Sequence, residues 1–192
     1  MDQRPDLKGN CRKLLRSELG LYRAHLLRLD DEARRKRFAH SVSDGFIEQY
    51  ASHSGDAGTI IFGYFDDGEL HGVGELKCDN ANLCRTAEAA FSVETKYLNR
   101  GIATELMGHI IRSARNRGVR HLVLNCLIEN SKMRAIAAKY DADLRIEDGS
   151  VIADIVPLSS DYLSRATEAF DDRMGVFLAV LDLHSRNRHN AA

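Results

Sequence analysis

The sequence predicts a single α/β domain with a helical C-terminal appendage, and three observations carry that expectation. Apolar residues recur at helical spacing up to about residue 51, then switch to alternation from residue 59, the mark of strands. Residues 84–128 read as strand, amphipathic helix and strand, the pattern of a parallel crossover. From Tyr162 the helical period returns and persists almost to the end. A chain of 192 residues suits one domain and is long enough to bury a core.

The elements follow in order. KLLRS (13–17) reads as a first strand, and Ser17 as the cap of a helix from Glu18 to Leu29, whose apolar face is Leu19, Tyr22, Leu26 and Leu29. DDEARRKRF (30–38) continues as a charged helix, and VSDGFIEQYA (42–51) as another with Ser43 as cap. TIIFGYF (59–65), the turn DDG and ELHGVGELKC (69–78) form an antiparallel hairpin. A strand follows at 84–94. The helix 101–118 is striped by Ile102, Leu106, Ile110, Ile111 and Ala114 and stopped by Gly118. HLVLNCLI (121–128) is a buried-looking strand, 131–140 a helix, and 144–148 with 151–157 a closing hairpin. Tyr162, Ala166, Phe170, Met174, Phe177, Leu178 and Leu181 mark the last helix. The domain is therefore expected over 1–158, the helix over 159–186 and a disordered tail over 187–192.

Bulk properties exclude several classes. The net charge is −1, so no global field favours nucleic acid or an anionic membrane, and neither is expected as a partner. No apolar run approaches membrane-spanning length, and MDQRPDLKGN lacks the apolar segment of a secretory signal. Cys11, Cys78, Cys84 and Cys126 lack zinc-site spacing, so no metal is expected. Cys78 and Cys84 can face each other across a hairpin, but all four are read as reduced thiols of a cytoplasmic protein, with a disulfide or a metal as the second reading.

VETKYLNRGIATELM (93–107) carries the first functional signal. A helix N-terminus has unpaired N–H groups and a positive dipole end, so it favours an anion. Gly101 lets the backbone turn and approach a ligand, and Ala103 keeps the next position small. These residues alone fit a plain strand-to-helix turn as well. They make neither a Walker loop nor a dinucleotide fingerprint.

With its surroundings the stretch resembles the GNAT superfamily of acetyl-CoA-dependent N-acetyltransferases. Their signature Q/R-x-x-G-x-G/A falls on Leu98, Asn99, Arg100, Gly101, Ile102 and Ala103, with Leu98 departing from the leading residue. AEAAFSV (87–93) looks like the family's fourth strand, and LNCLIENSKMRAIAAKYDADL (124–144) like its fifth strand, asparagine and following helix. The branch that includes bacterial protein-lysine acetyltransferases is the most similar. The resemblance implies a mixed, mostly antiparallel sheet of six to seven strands flanked by helices. It also implies acetyl-CoA as co-substrate. Phe91, Ser92 and Val93 would meet the pantetheine, residues Asn99, Arg100, Gly101, Ile102, Ala103 and Thr104 would cradle the pyrophosphate, and Asn130 would meet the pantetheine arm. Arg134 or Lys132 is a candidate for the 3′-phosphate, or else a solvated helix residue.

Amine acetylation needs a deprotonated acceptor and a proton for the departing thiolate. Alternation puts Glu88, Ala90 and Ser92 on one face of their strand. A carboxylate among alanines in mid-sheet is a base candidate if buried and unpaired. The resembling family often uses a glutamate at this position, so Glu88 is the expected base. The bland reading is a structural ion pair or a solvent-facing side chain. Glu75 is a second carboxylate candidate or an exposed edge residue, and His71 a surface histidine. Many members of the resembling family place a tyrosine as general acid where this chain has Ala137; Tyr140 lies one turn on, and no general acid is assigned. The arginine-rich run 28–38 reads as a solvated, self-paired face, with a patch for nucleic acid or an acidic partner as the alternative, and the resemblance implies that it lies on the acceptor side. The sequence thus predicts an N-acetyltransferase acting on a primary amine of a protein lysine or a small molecule. The alternative is an acyl-CoA sensor of the same fold. The last helix either docks on its own domain or makes a homodimer.

Overall fold

The computed structural model describes residues 8–78, 84–147, 149–157 and 162–189. Seven strands form one sheet: β1 (Asn10–Lys13), β2 (Thr59–Asp66), β3 (Glu69–Cys78), β4 (Thr86–Val93), β5 (His121–Leu127), β6 (Asp143–Glu147) and β7 (Ser150–Ile155). Their spatial order is β1-β2-β3-β4-β5-β7-β6, and every neighbouring pair is antiparallel except β4 with β5. Among the described residues six α-helices accompany it: α1 (Leu19–Arg28), α2 (Asp31–Phe38), α3 (Asp44–Ser52), α4 (Ile102–Asn116), α5 (Ser131–Ala138) and α6 (Tyr162–His189). The mixed α/β fold expected from the sequence is the one observed.

Each face of the sheet has its own core. One buries Leu76, Ala87, Ala89, Phe91, Leu122 and Leu124 against Ile102, Leu106, Met107 and Ile110 of α4. The other buries Ile61, Phe65, Leu70 and Val73 against Tyr22 and Leu26 of α1 and Ile47 of α3. The GVG of β3 serves both: Val73 faces the second core, while Gly72 and Gly74 admit α4. A Cβ on Gly72 would stand 2.9 Å from Ile102 Cγ2, and one on Gly74 would stand 3.0 Å from Phe91. The first turn of α4 is seated by this absence of side chain.

Two early expectations shift. The first strand lies at Asn10–Lys13 rather than 13–17: the β1–β2 register ends at Lys13–Phe62, after which Leu14 N–H still reaches Ile61 O at 2.8 Å and the Leu14 side chain joins the second core. Ser17 does not cap α1; the Glu18 carboxylate takes the Leu15 N–H at 3.1 Å and the Arg12 guanidinium at 2.7 and 2.8 Å. Asp30 and Ser43 do cap α2 and α3, accepting from Ala33 N–H and Phe46 N–H.

Cys78 and Cys84 are joined, correcting the reading of four reduced thiols. Antiparallel pairing of β3 and β4 brings their Cα atoms to 5.5 Å across six residues of sequence, both side chains lying in the first core. Cys11 and Cys126 are free. The bridge removes the premise on which a cytoplasmic location was expected. Among the described residues, no helix is long and apolar enough to cross a membrane.

Helix α6 extends to His189, beyond the boundary expected at 186, and residues 190–192 lie outside the described ones. It docks on its own domain with its polar side. Glu168 accepts from Ser113 and Asn116 of α4 and from Arg117 just beyond it at 3.0, 2.6 and 2.7 Å, and Asp171 pairs with Arg112 at 2.9 Å. Asp182 is buried against Arg12 of β1, while Gly175 and Ala179 fill the space between. The apolar stripe therefore points outward: Tyr162, Leu163, Phe170, Phe177 and Leu181 are each half exposed or more.

Candidate active site

The parallel register of β4 and β5 runs from Thr86–His121 to Ala89–Leu124 and stops there. Beyond Ala89 the two strands part, although β4 continues to Val93 and β5 to Leu127. The edge of β4 facing the fork is then unpaired. Glu94 N–H donates to His71 O at 2.9 Å, so the backbone groups of even-numbered residues point to β3. By strand alternation, Phe91 and Val93 direct their N–H and C=O groups into the fork. An extended amide-bearing ligand would find a ready strand edge there.

A cleft of about 490 Å³ opens along this edge. Phe91, Ser92 and Val93 line it on one side, and Asn99, Gly101, Ile102, Ala103 and Thr104 at its end. Gly101 is the N-cap residue of α4 at φ 84°, in the left-handed region that disfavours any side chain, and no side chain caps the helix. Glu105 N–H already reaches Gly101 O at 3.1 Å, so the free N–H groups are those of the first turn. Leu98, at the leading position of the signature, lines the cleft partly exposed. Lys36, Lys132 and Lys139 add positive charge at its rim.

Two residues expected here have other ties. Arg100 is not among the lining residues; it donates to Lys96 O at 2.9 Å and stacks over Tyr97 at 4.6 Å. Asn130 lines the cleft, and its side-chain oxygen caps α5 by accepting from Met133 N–H at 3.3 Å.

The carboxylates separate sharply. Glu88 lies opposite Val123 one register position before the fork, exposed to solvent rather than enclosed by its alanine neighbours. It does not line the cleft. Glu75 is not an exposed edge residue. It is buried beneath α2 and α3, accepting from Arg37 Nη2 at 2.5 Å and Tyr50 Oη at 3.0 Å. Burial opposes the Arg37 charge, but the Glu75 carboxylate outweighs it and raises the guanidinium pKa above its ordinary value. The arginine-rich run is likewise turned to partners rather than self-paired. Arg28 reaches Glu94, Arg34 reaches Asp44 and Arg35 reaches Glu129, while Lys36 with Glu32 is a pair within its own helix.

His71 is buried, not superficial. It stacks on Tyr97 with ring centroids 4.0 Å apart and places Nδ1 2.9 Å from Glu94 Oε2. Glu94 also meets His25 Nδ1 at 3.2 Å and Arg28 at 2.8 and 3.1 Å. Burial alone would raise its pKa; the hydrogen bonds from His25 and His71 and the Arg28 charge prevail and hold it at about 2. His25 is fully buried, and its Nε2 lies 2.9 Å from Ser92 Oγ in the cleft wall. Sequence reasoning missed His25 and Glu94. His25 falls three residues after Tyr22 on the apolar face of α1, a polar residue where a hydrophobic one is expected, and that was the available signal. Tyr140 donates to Thr104 O at 3.0 Å, joining the end of α5 to α4, and Ala137 is fully buried.

Comparison with known proteins places this geometry. The GNAT domain of PAT from S. lividans superposes with a TM-score of 0.66 at 21% identity, covering 77% of this chain and 90% of that one. A putative acetyltransferase from Salmonella typhimurium, solved with its cofactor acetyl-CoA, gives 0.59 at 11% identity, covering 81% and 97%. Spermidine N-acetyltransferase from Vibrio cholerae, in complex with CoA and spermine, gives 0.59 at 17% identity, covering 78% and 96%. A search of curated protein sequences finds no match. The profile of the acetyltransferase (GNAT) family matches residues 24–140, more than half of the chain, and the protein therefore belongs to the acetyltransferase (GNAT) family.

Proposed function

We propose that the chain transfers acetyl from acetyl-CoA to a primary amine, on a protein lysine or a small molecule. The observation that carries this reading is the forked sheet edge leading to the glycine-capped helix: unpaired Phe91 and Val93 backbone for an amide-rich arm, then free first-turn N–H groups for a diphosphate. These residues suit the coenzyme's chemistry: a free strand edge for its amides and free first-turn N–H groups for its diphosphate. Lys132, on the cleft rim, suits a further phosphate, whereas Arg134 does not line the cleft.

The acceptor side is the face roofed by α2. Glu88 stands there at the fork, open to solvent, where a carboxylate can strip the proton from an incoming ammonium group. Glu75 is spent on Arg37 and Tyr50 and is not proposed as base. The amine then attacks the thioester held along β4, and acetyl passes to nitrogen as the thiol departs.

Thermal unfolding with and without acetyl-CoA tests the binding half. Ligand at a hundred times its dissociation constant adds about 2.7 kcal/mol to stability. The parent should gain a clear shift that Gly101→Glu loses. Thiol release with a pool of amines tests the chemistry, and Glu88→Gln should abolish it with the thermal shift intact. Binding without turnover in the parent would favour the acyl-CoA sensor, in which α6 reports the ligand.

For the outer face of α6 we propose a second copy of this chain. Tyr162, Phe170 and Phe177 alone expose roughly 300–500 Å², taking 150–250 Å² for each whole aromatic side chain, and Leu163, Met174 and Leu181 extend the same exposed stripe. A stable interface needs about 800 Å² per partner, and one continuous helical stripe is self-complementary when two copies run antiparallel.

A further inference from the structure

The reaction proposed above lacks one group, a donor for the departing thiolate. The position expected to supply it is Ala137, and the Tyr140 hydroxyl is committed to Thr104 O. Glu88 stands outside the cleft lining. Ser92 does line the cleft, and behind it runs an ordered chain of polar groups, Ser92 Oγ to His25 Nε2 at 2.9 Å and His25 Nδ1 to Glu94 Oε1 at 3.2 Å.

Resting on that reading, we propose that Ser92 is the general acid of the acyl transfer and that His25, held by Glu94, is the positioning residue that loads it with a proton. A carboxylate only accepts, so Glu94 fixes the proton of neutral His25 on Nδ1. Nε2 is then a lone pair aimed at the Ser92 hydroxyl. The arrangement is that of a hydroxyl, a base and an orienting carboxylate, which enzymes on unrelated folds use to move protons in acyl transfer.

The protons balance. After the neutral amine adds to the thioester carbonyl, its nitrogen carries one proton too many. That proton passes to Ser92 Oγ as the serine's own proton moves to His25 Nε2. The carbon–sulfur bond then breaks, His25 returns its proton to Ser92, and Ser92 delivers one to sulfur. The products are amide and thiol, with Ser92 and His25 as they began. The imidazolium formed in between lies beside the Glu94 carboxylate and is opposed by Arg28 on its own helix and by His71 from β3. Charge from all three sets its lifetime, and His25 has no contact with bulk water.

The test uses the whole chain and the variants Ser92→Ala and His25→Gln, with acetyl-CoA and whichever amine gives turnover. Thermal response to acetyl-CoA is read first, to establish folding and coenzyme binding in each. Ser92→Ala is the smaller change and keeps the test open should His25→Gln fail to fold. Ser92→Ala should lower kcat about a hundredfold or more while leaving KM for acetyl-CoA within a few fold. His25→Gln should erase the acid limb of the kcat–pH profile. Imidazole ¹⁵N NMR should show His25 protonated on Nδ1 at pH 7, with Nε2 responding to added CoA in the parent and not in Ser92→Ala. A kcat within twofold of the parent in Ser92→Ala, with an unchanged pH profile, overturns the proposal. So does an acetyl adduct on Ser92 by mass spectrometry, which would make the serine a nucleophile. Those results leave coenzyme binding standing; a parent with no thermal response to acetyl-CoA overturns the coenzyme reading and this proposal together.

Discussion

Arg12 and Asp182, separated by 170 residues of sequence, share two hydrogen bonds at 2.8 and 3.1 Å in the interior. Arg12 also clasps Glu18 and lies 3.7 Å over the Phe65 ring, so this one guanidinium ties the C-terminal helix to the first strand. Replacing Asp182 with alanine leaves a buried cation short of a partner. A loss of about 3 kcal/mol is expected, read as a lower urea midpoint. An unchanged midpoint would mean that Glu18 alone suffices for Arg12.

Gly72→Ala should disturb binding from a distance. The new methyl would press on Ile102, the first residue of α4, and displace the turn that bears the free N–H groups. Overpacking of this kind costs about 1–3 kcal/mol. The thermal gain from acetyl-CoA should shrink as well. A variant that loses stability but keeps the full ligand shift would show that the helix start tolerates the push.

Acid should weaken the fold in two stages. Burial, and then the Arg112 charge, lower His109 to about 4 from its ordinary 6.5. The folded state thus binds fewer protons than the unfolded chain, and stability present above 6.5 is lost as pH falls toward 4. Below 4.5 the depressed Glu94 carboxyl adds a further loss, extending to about 2. His109→Phe should flatten the first stage, as measured by urea midpoints at pH 7, 5.5 and 4. A slope between pH 6.5 and 4 unaltered by that variant would assign the loss elsewhere.

Reduction of the Cys78–Cys84 bridge removes a cross-link between positions six apart in sequence. Chain entropy puts the loss at about 2 kcal/mol for six residues of separation. Dithiothreitol should lower the parent's unfolding midpoint and leave a Cys78→Ser/Cys84→Ser double variant unmoved.

Phe170→Glu and Phe177→Glu address the outer stripe of α6. Sedimentation of the parent should show a dimer that either substitution converts to monomer without changing the unfolding of the monomer core. A monomeric parent would remove the second copy as occupant.

Much of this was legible from pattern alone. The 59–78 hairpin, the parallel unit and Gly101 at the start of α4 all follow from periodicity and from one residue without a side chain. The expectations that shifted share one cause: side chains whose partners are distant in sequence. Glu75 looks like an edge residue until α2 brings Arg37 over it, and the run 28–38 looks self-sufficient until folding supplies Glu94 and Glu129. Helix α6 has an unmistakable apolar stripe, but amphipathicity says only that two faces differ. Arg12, Asn116 and Arg117 decide that the polar face goes inward. His25 was hidden because a lone polar residue in an apolar face carries no sign of its partner until Ser92 and Glu94 stand beside it.

The parting of β4 from β5 after Ala89 has a consequence for the protein's life in the cell. A bare strand edge is a template on which any other extended chain can lay itself. Were the proposed coenzyme to lie along this edge, it would also complete the sheet, so that the donor pool would act as a folding aid and a guard against clumping as well as a reagent. Amide exchange at Phe91 and Val93 would then report the metabolic state of the donor, slow when it is plentiful and fast when it is scarce.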